Sequence, residues 1–258
     1  MNLSLSGRQA IICGSTSGIG KACAQLLAKR GASVVLAARD EKKLISTVNS
    51  LDGDGHSYIC ADFNDPDSLR LKTTDHINKT GAIHILMNNS GGPPGGPLIE
   101  ANTDEFEIAF KRHVISSQIL TQLVVPGMKE EGYGRIINIT STSVNQVIPG
   151  LGVSNTIRGA ISQWVKTLAI ELGPYGITAN NILPGYIDTD RLKNLLEESA
   201  KKKNITYNQM VTETKKKTSL GRIGLPTEVA SAVAFIASEE GGYITGTNFS
   251  VDGGRFGV

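Results

Sequence analysis

Gln9-Ala-Ile-Ile-Cys-Gly14-Ser-Thr-Ser-Gly18-Ile-Gly20 is the stretch on which the reading of the fold turns. Residues 9–13 are apolar and short, as a buried strand requires. Residues 19–30 place Ile19, Cys23, Leu26 and Leu27 on one side at helical spacing, and Gly31 stops the run. Between them Gly14, Gly18 and Gly20 form a G-x-x-x-G-x-G loop. Side-chain-free positions let the backbone approach a pyrophosphate closely. The helix that begins near Ile19 turns free N–H groups and its positive end toward the phosphates. A glycine pattern alone is weak. A strand before it, a helix after it and a second apolar strand at 33–38 make it a dinucleotide-binding loop.

The same alternation continues outward. A helix is expected at 41–49, a strand at 56–61, a helix at 67–79 and a strand at 84–87. Residues 106–129 read as one long helix or two, with Pro126 as the break. Strands at 135–139, 178–182 and 247–251 alternate with helices at 156–172 and 226–236. The strands are apolar on both faces, the pattern of a parallel sheet covered on both sides. The expected fold is α/β: a Rossmann fold, one doubly wound, parallel, seven-stranded sheet in a single domain over residues 1–258.

The formal charge of +2, from 26 basic and 24 acidic residues, gives no support for a nucleic-acid partner. Cys13, Cys23 and Cys60 lack metal-ligand spacing and read as thiols in a reducing compartment. No metal site is expected. The N-terminus lacks a secretory pattern, and no apolar run is long enough to cross a membrane. These features point to the cytoplasm. Residues 190–220 stand apart, with eight basic residues against four acidic ones, including Lys201-Lys202-Lys203 and Lys215-Lys216-Lys217. They read either as a solvated helical surface or as a lid over the ligand cleft. A basic lid hints at an anionic substrate.

The second strand ends in Ala37-Ala38-Arg39. An acidic residue there would bind the adenosine ribose hydroxyls and select NAD. Ala38 cannot, whereas Arg39 offers a fork suited to a 2′-phosphate, so NADP is favoured over NAD. Asp62, after the third strand, can accept from the adenine amine or cap the following helix.

Further stretches carry a resemblance: Asn88-Asn-Ser-Gly91, Gly134-Arg-Ile-Ile-Asn-Ile-Thr-Ser141, Pro184-Gly-Tyr-Ile-Asp-Thr189, Leu220-Gly-Arg-Ile-Gly-Leu-Pro226 and Tyr243-Ile-Thr-Gly-Thr-Asn-Phe-Ser-Val-Asp-Gly-Gly254. With the glycine loop, they make the chain resemble the classical short-chain dehydrogenase/reductase superfamily along essentially its whole length. The β-ketoacyl carrier-protein reductases are the nearest type. The resemblance implies a small carbonyl or alcohol substrate and a homotetramer built through the long helices. It implies Gly14, Ser15, Ser17, Gly18, Ile19, Gly20, Arg39, Asp62, Asn88 and Gly91 as cofactor neighbours. Pro184, Gly185, Ile187 and Thr189 are implied at the nicotinamide end.

The catalytic set of that superfamily is Asn, Ser, Tyr and Lys. Here the serine is Ser141. Counted from it without a gap, the tyrosine position is Ser154 and the lysine position is Arg158. The asparagine position is His113. A serine hydroxyl has a higher pKa and shorter reach than a phenol. Arg158 stays cationic near neutral pH and can bind ribose hydroxyls. Ser154 and Arg158 share one helix face at i and i+4. Three readings follow: a working oxidoreductase with another proton source, His113 or Tyr186; a dinucleotide-binding sensor or partner subunit without hydride transfer; or an interaction protein with an empty site.

Overall fold

The computed structural model describes residues 3–256. Seven strands form one sheet: β1 (Gln9–Cys13), β2 (Ser33–Ala38), β3 (Ser57–Cys60), β4 (Ile85–Asn88), β5 (Gly134–Ile139), β6 (Ile177–Pro184) and β7 (Asn248–Val251). Their order is β3-β2-β1-β4-β5-β6-β7, and every adjacent pair is parallel. The chain therefore builds outward from β1 to β3, then crosses back to lay β4 on the other side of β1. That reversal opens a crevice at the carboxyl ends of β1 and β4, where an open α/β sheet binds ligands.

Alternation along the strands explains why both faces are apolar. Ala10 and Ile12 of β1, with Val34 and Leu36 of β2, pack with α1 (Gly18–Lys29), α2 (Glu41–Val48) and α9 (Pro226–Ala237). Ile11, Cys13, Val35 and Ala37 point the other way. They pack with α3 (Pro66–Thr80), α5 (Ser116–Glu130) and α6 (Gly152–Leu172). Fully buried leucines such as Leu27 and Leu36 each contribute about 1.5–3 kcal/mol of transfer free energy.

One expectation needs correction. The long helix does not break at Pro126. It divides into α4 (Thr103–Phe110), a π-helical turn at Lys111–Ile115, and α5, with Pro126 inside α5. Pro126 and Gln122 are both exposed, so the carbonyl that the proline leaves unpaired can bond to water. Within the widened turn, serine hydroxyls take over freed carbonyls. Ser116 Oγ lies 3.0 Å from the Lys111 carbonyl, and Ser117 Oγ donates to the His113 carbonyl at 2.6 Å. Such turns recur at functional sites, and this one carries His113.

Residues 190–220 form a helical hairpin of α7 (Asp190–Lys203) and α8 (Tyr207–Lys215). Leu196, Ala200 and Met210 give it a small core of its own, separate from the two sheet cores. Lys201–Lys203 form the last turn of α7, where cations offset the negative end of the helix dipole. The lysine runs are thus accounted for by helix ends and exposure. Cys13 and Cys23 are buried free thiols. Among the described residues, no group of His, Cys, Asp or Glu is placed to hold a metal ion, and no helix is long and apolar enough to cross a membrane.

Candidate active site

The loop after β1 is held by close backbone approach. Gly14 has φ +60°, and a Cβ there would lie 2.8 Å from both the Asn89 carbonyl and its amide nitrogen. A Cβ on Gly20 would fall inside the Gly14 carbonyl oxygen. Asn89 Nδ2 donates to the Cys13 carbonyl at 3.3 Å, tying the end of β4 to the loop. The first turn of α1 contains no acidic residue, and Ser17 at its N-cap makes no capping hydrogen bond. By contrast, Asp40 and Asp65 cap α2 and α3 with their carboxylates. The start of α1 therefore keeps free N–H groups and an uncompensated positive end. Ser15 is fully buried, with an unpartnered hydroxyl in the same loop. Uncapped donors beside a cradle that any Cβ would fill fit a pyrophosphate.

An open cleft of about 1360 Å³ runs past this loop. Gly14, Ser17, Gly18, Ile19, Arg39 and Asp62 line it, together with Gly91 and Thr189. Arg39 is exposed at the end of β2, with no side-chain hydrogen bond or ion pair among the described residues. Lys43, which composition and motif reading passed over, lines the cleft beside it and pairs loosely with Asp40 at 3.6 Å. One carboxylate oxygen of Asp62 accepts from the Asn64 N–H at 2.9 Å. The cap on α3 comes from Asp65 instead, so Asp62 is not the helix cap and keeps an oxygen for another donor.

Gly185 and Ile187 shape the structure under the cleft. A Cβ on Gly185 would lie 2.7 Å from Asp252 Cα, so glycine is needed where β6 ends against the residue after β7. Ile187 is buried in the core and bridges to Gly224. Pro184 ends β6. Thr189 caps α7, its hydroxyl accepting from the Leu192 N–H at 3.3 Å. Its methyl group would lie 3.1 Å from a Cβ on Gly18, so the base of the hairpin rests on the glycine loop.

Ser141 and the Arg158 guanidinium lie at the carboxyl end of β5, Ser154 is one turn before Arg158 on α6, and His113 meets Ser90 just beyond β4. Ser141 follows β5, and its oxygen accepts from the Ser143 N–H at 3.1 Å, leaving its proton to donate. Ser154 and Arg158 lie one turn apart on α6, both buried. Arg158 Nη1 donates to the Ile139 carbonyl at 3.0 Å, anchoring α6 to the end of β5. Burial, then the charge of Arg191, lowers the Arg158 guanidinium to about 10, so it stays cationic at neutral pH.

His113 is also buried. Its Nδ1 lies 2.7 Å from Ser90 Oγ, and its Nε2 is buried without a partner. Burial first, then Arg158, Arg112 and Arg191, pushes its pKa down to about 2. The imidazole is neutral at physiological pH and does not titrate near neutrality. No hydrogen bond joins it to Ser154 among the described residues. Its partner, Ser90, follows the Asn88-Asn89 pair, which was the available signal. Below the site lies a polar cavity lined by Asn88, Asn138 and Arg158. Asn88 and Asn138 are paired in register on β4 and β5, and both retain unpartnered side-chain amide atoms. Tyr186, the other proton-source candidate, is stacked under the Arg255 guanidinium at 3.8 Å.

The family model described as enoyl-(acyl carrier protein) reductase matches residues 14–255. The chain is 32% identical to the 3-oxoacyl-[acyl-carrier-protein] reductase FabG of Vibrio cholerae over 254 residues, covering 98% of this chain and 99% of that one. Among solved structures, L-sorbose reductase from Gluconobacter frateurii, complexed with NADPH and L-sorbose, superposes with a TM-score of 0.94 at 29% identity, all of both chains being covered. A 7α-hydroxysteroid dehydrogenase complexed with NADH superposes with a TM-score of 0.88 at 31% identity, covering 98% of this chain and 96% of that one. Strand order and the glycine loop agree with this likeness. The chain belongs to the classical short-chain dehydrogenase/reductase superfamily of oxidoreductases, close to the ketoacyl reductases.

Proposed function

We propose that this protein is an NADP-dependent reductase or dehydrogenase of a small carbonyl or alcohol substrate, in which Ser154 and Arg158 stand in for tyrosine and lysine. The observation that carries the reading is one cleft joining the uncapped N-terminus of α1, an unpaired Arg39 and Ser90, the hydrogen-bond partner of His113. A bound nicotinamide supplies the hydride. Ser141 and Ser154 orient the substrate oxygen through their hydroxyls, and Arg158 holds the ribose and biases the site positive. Neutral His113, paired with Ser90, passes a proton without becoming a stable cation. Arg39 and Lys43 receive the 2′-phosphate, and Asp62 receives the adenine amine. Gly91, Asn88, Pro184, Gly185, Ile187 and Thr189 frame the nicotinamide half.

The test is cofactor binding, followed by turnover. Wild-type protein should prefer NADPH to NADH, and Arg39→Ala should lose about 1–3 kcal/mol of NADPH binding while NADH is little changed. An unaltered preference in the variant removes Arg39 as the phosphate reader. Binding of NADPH without its oxidation across a broad carbonyl panel favours the second reading, a dinucleotide-binding sensor or partner subunit. The loss of both tyrosine and lysine from the catalytic positions supports that second reading.

The α7–α8 hairpin is proposed as a lid within a single 1–258 domain. It packs on its own core, touches the glycine loop through Thr189, and reaches across the cleft through Arg191 Nη1, which donates to the Gly92 carbonyl at 3.1 Å. Amide exchange in residues 190–215 should slow when NADPH binds, because ligand and lid share these contacts. Equal protection with and without NADPH excludes closure. A cytoplasmic homotetramer is proposed for the assembly. Its support is the exposed apolar row of Phe110, Ile115 and Ile108 along α4 and the π-helical turn, where Phe106 and Ile157 line a shallow groove between α4 and α6.

A further inference from the structure

Arg112 and Arg191 line the cleft, Arg112 and Arg158 line the smaller cavity beside it, and among the described residues none of the three guanidinium groups meets a carboxylate. Arg112 donates to the Asn64 side-chain oxygen at 3.0 Å and to the Gly91 carbonyl at 3.5 Å. Arg158 donates to the Ile139 carbonyl, and Arg191 to the Gly92 carbonyl. All five ion pairs among the described residues lie elsewhere. The charged groups that act on His113 are Arg158, Arg112 and Arg191, and the one that acts on Arg158 is Arg191. Like charges near one another repel, and buried Arg158 and half-buried Arg112 also lose hydration, while Arg191 stays exposed at the cleft. An anion bound between them offsets both costs.

The cofactor's own anions have other receivers in the proposed reading. There the uncapped start of α1 would receive the pyrophosphate, and Arg39 and Lys43 the 2′-phosphate. Arg191 sits on the far wall. Its guanidinium lies over Gly92, where a Cβ would be 2.5 Å from Nη2, and its charge is felt at His113 and Arg158. A single hydrogen bond to Gly92 leaves most of its five N–H donors for a planar, bidentate acceptor. We infer that Arg191 binds a carboxylate carried by the substrate beside its reacting carbon. The inference rests on the reductase reading and names its substrate class. It places the anion preference in one arginine of the lid and not in its lysine runs.

The shared chemistry is an anion against Arg191, and its source is either a substrate carboxylate or the cofactor pyrophosphate. Calorimetry separates them. Protein is first titrated with NADP. The NADP complex is then titrated with pyruvate, 2-oxobutanoate and benzoylformate, and with their methyl esters. At least one acid should bind about tenfold or more tightly than its ester. Arg191→Gln should abolish that preference while changing the NADP Kd less than about threefold, and Arg191→Lys should retain part of it. Circular dichroism confirms that both variants fold. The proposal is overturned if no acid is preferred to its ester. It is also overturned if Arg191→Gln weakens NADP and leaves the acid preference intact, which assigns Arg191 to the pyrophosphate. Failure of wild-type protein to bind NADP in the first titration overturns the underlying reductase reading as well, and is visible before any acid is added.

Discussion

Replacing His113 with asparagine will make the protein markedly more resistant to acid. In the folded chain the imidazole is held neutral down to about pH 2 by burial and by three arginines. In the unfolded chain it protonates at its ordinary value of 6.5. Below pH 6.5 the unfolded state therefore binds one more proton than the folded state, and acid favours unfolding. The stability that depends on a neutral His113 is complete above pH 6.5 and is lost as pH falls from there toward 2. Each pH unit in that window is worth up to about 1.4 kcal/mol, so at pH 4.5 the accumulated loss is about 3 kcal/mol. Asparagine has no such titration. Denaturant unfolding of wild type and His113→Asn at pH 7.5 and 4.5 reads the difference directly. Equal pH dependence of the two proteins would mean that His113 is protonated in the folded state.

The same neutrality bears on turnover. With a reducible substrate, His113→Ala is expected to slow turnover about 10²–10⁴-fold, the usual worth of a positioned proton-transfer group. The variant should keep whatever inflection wild type shows between about pH 6 and 8, because His113 does not titrate there. Full activity in the variant removes His113 from proton transfer and leaves Tyr186 or solvent.

Gly20→Ala is expected to remove most dinucleotide affinity. The new methyl group has no room, because it coincides with the Gly14 carbonyl and lies 3.0 Å from Asn89 Nδ2. Neither is the flexible end of a long side chain. The loop must move, and overpacking of this kind costs about 1–3 kcal/mol of stability. Displacing the donors of the α1 N-terminus from the pyrophosphate should weaken NADPH binding about 100-fold or more, which is about 3 kcal/mol. Gly159→Ala is the control. Gly159 lies within α6 with nothing within 4 Å of its would-be Cβ, so alanine there should stabilise by about 0.5–1 kcal/mol through helix propensity. If Gly20→Ala binds NADPH as wild type does, the loop is not the phosphate cradle.

Local order in this chain is written in short-range patterns. Residues 10–13 and 34–38 are apolar at every position, and that uniformity, met again in other strands, pointed to a parallel sheet covered on both faces. The glycine loop at 14–20, the position of Arg39 at the end of β2, and the Ser154–Arg158 spacing are equally local, since each depends on residues within a few positions. Other features depend on which distant segments pack together. The π-helical turn at Lys111–Ile115 arises where Ser116 bonds across to the Phe63 carbonyl at 2.7 Å, so Pro126, a strong local breaker, did not set the break. The neutrality of His113 comes first from burial and then from Arg158, Arg112 and Arg191, which lie on α6, the π-helical turn and α7. The closure of Arg191 over Gly92 joins residues 99 positions apart in the chain. Periodicity reports which side of an element is buried, because that follows from backbone geometry. Charge state and side-chain partnership follow from burial and through-space distance, and only the assembled fold sets those.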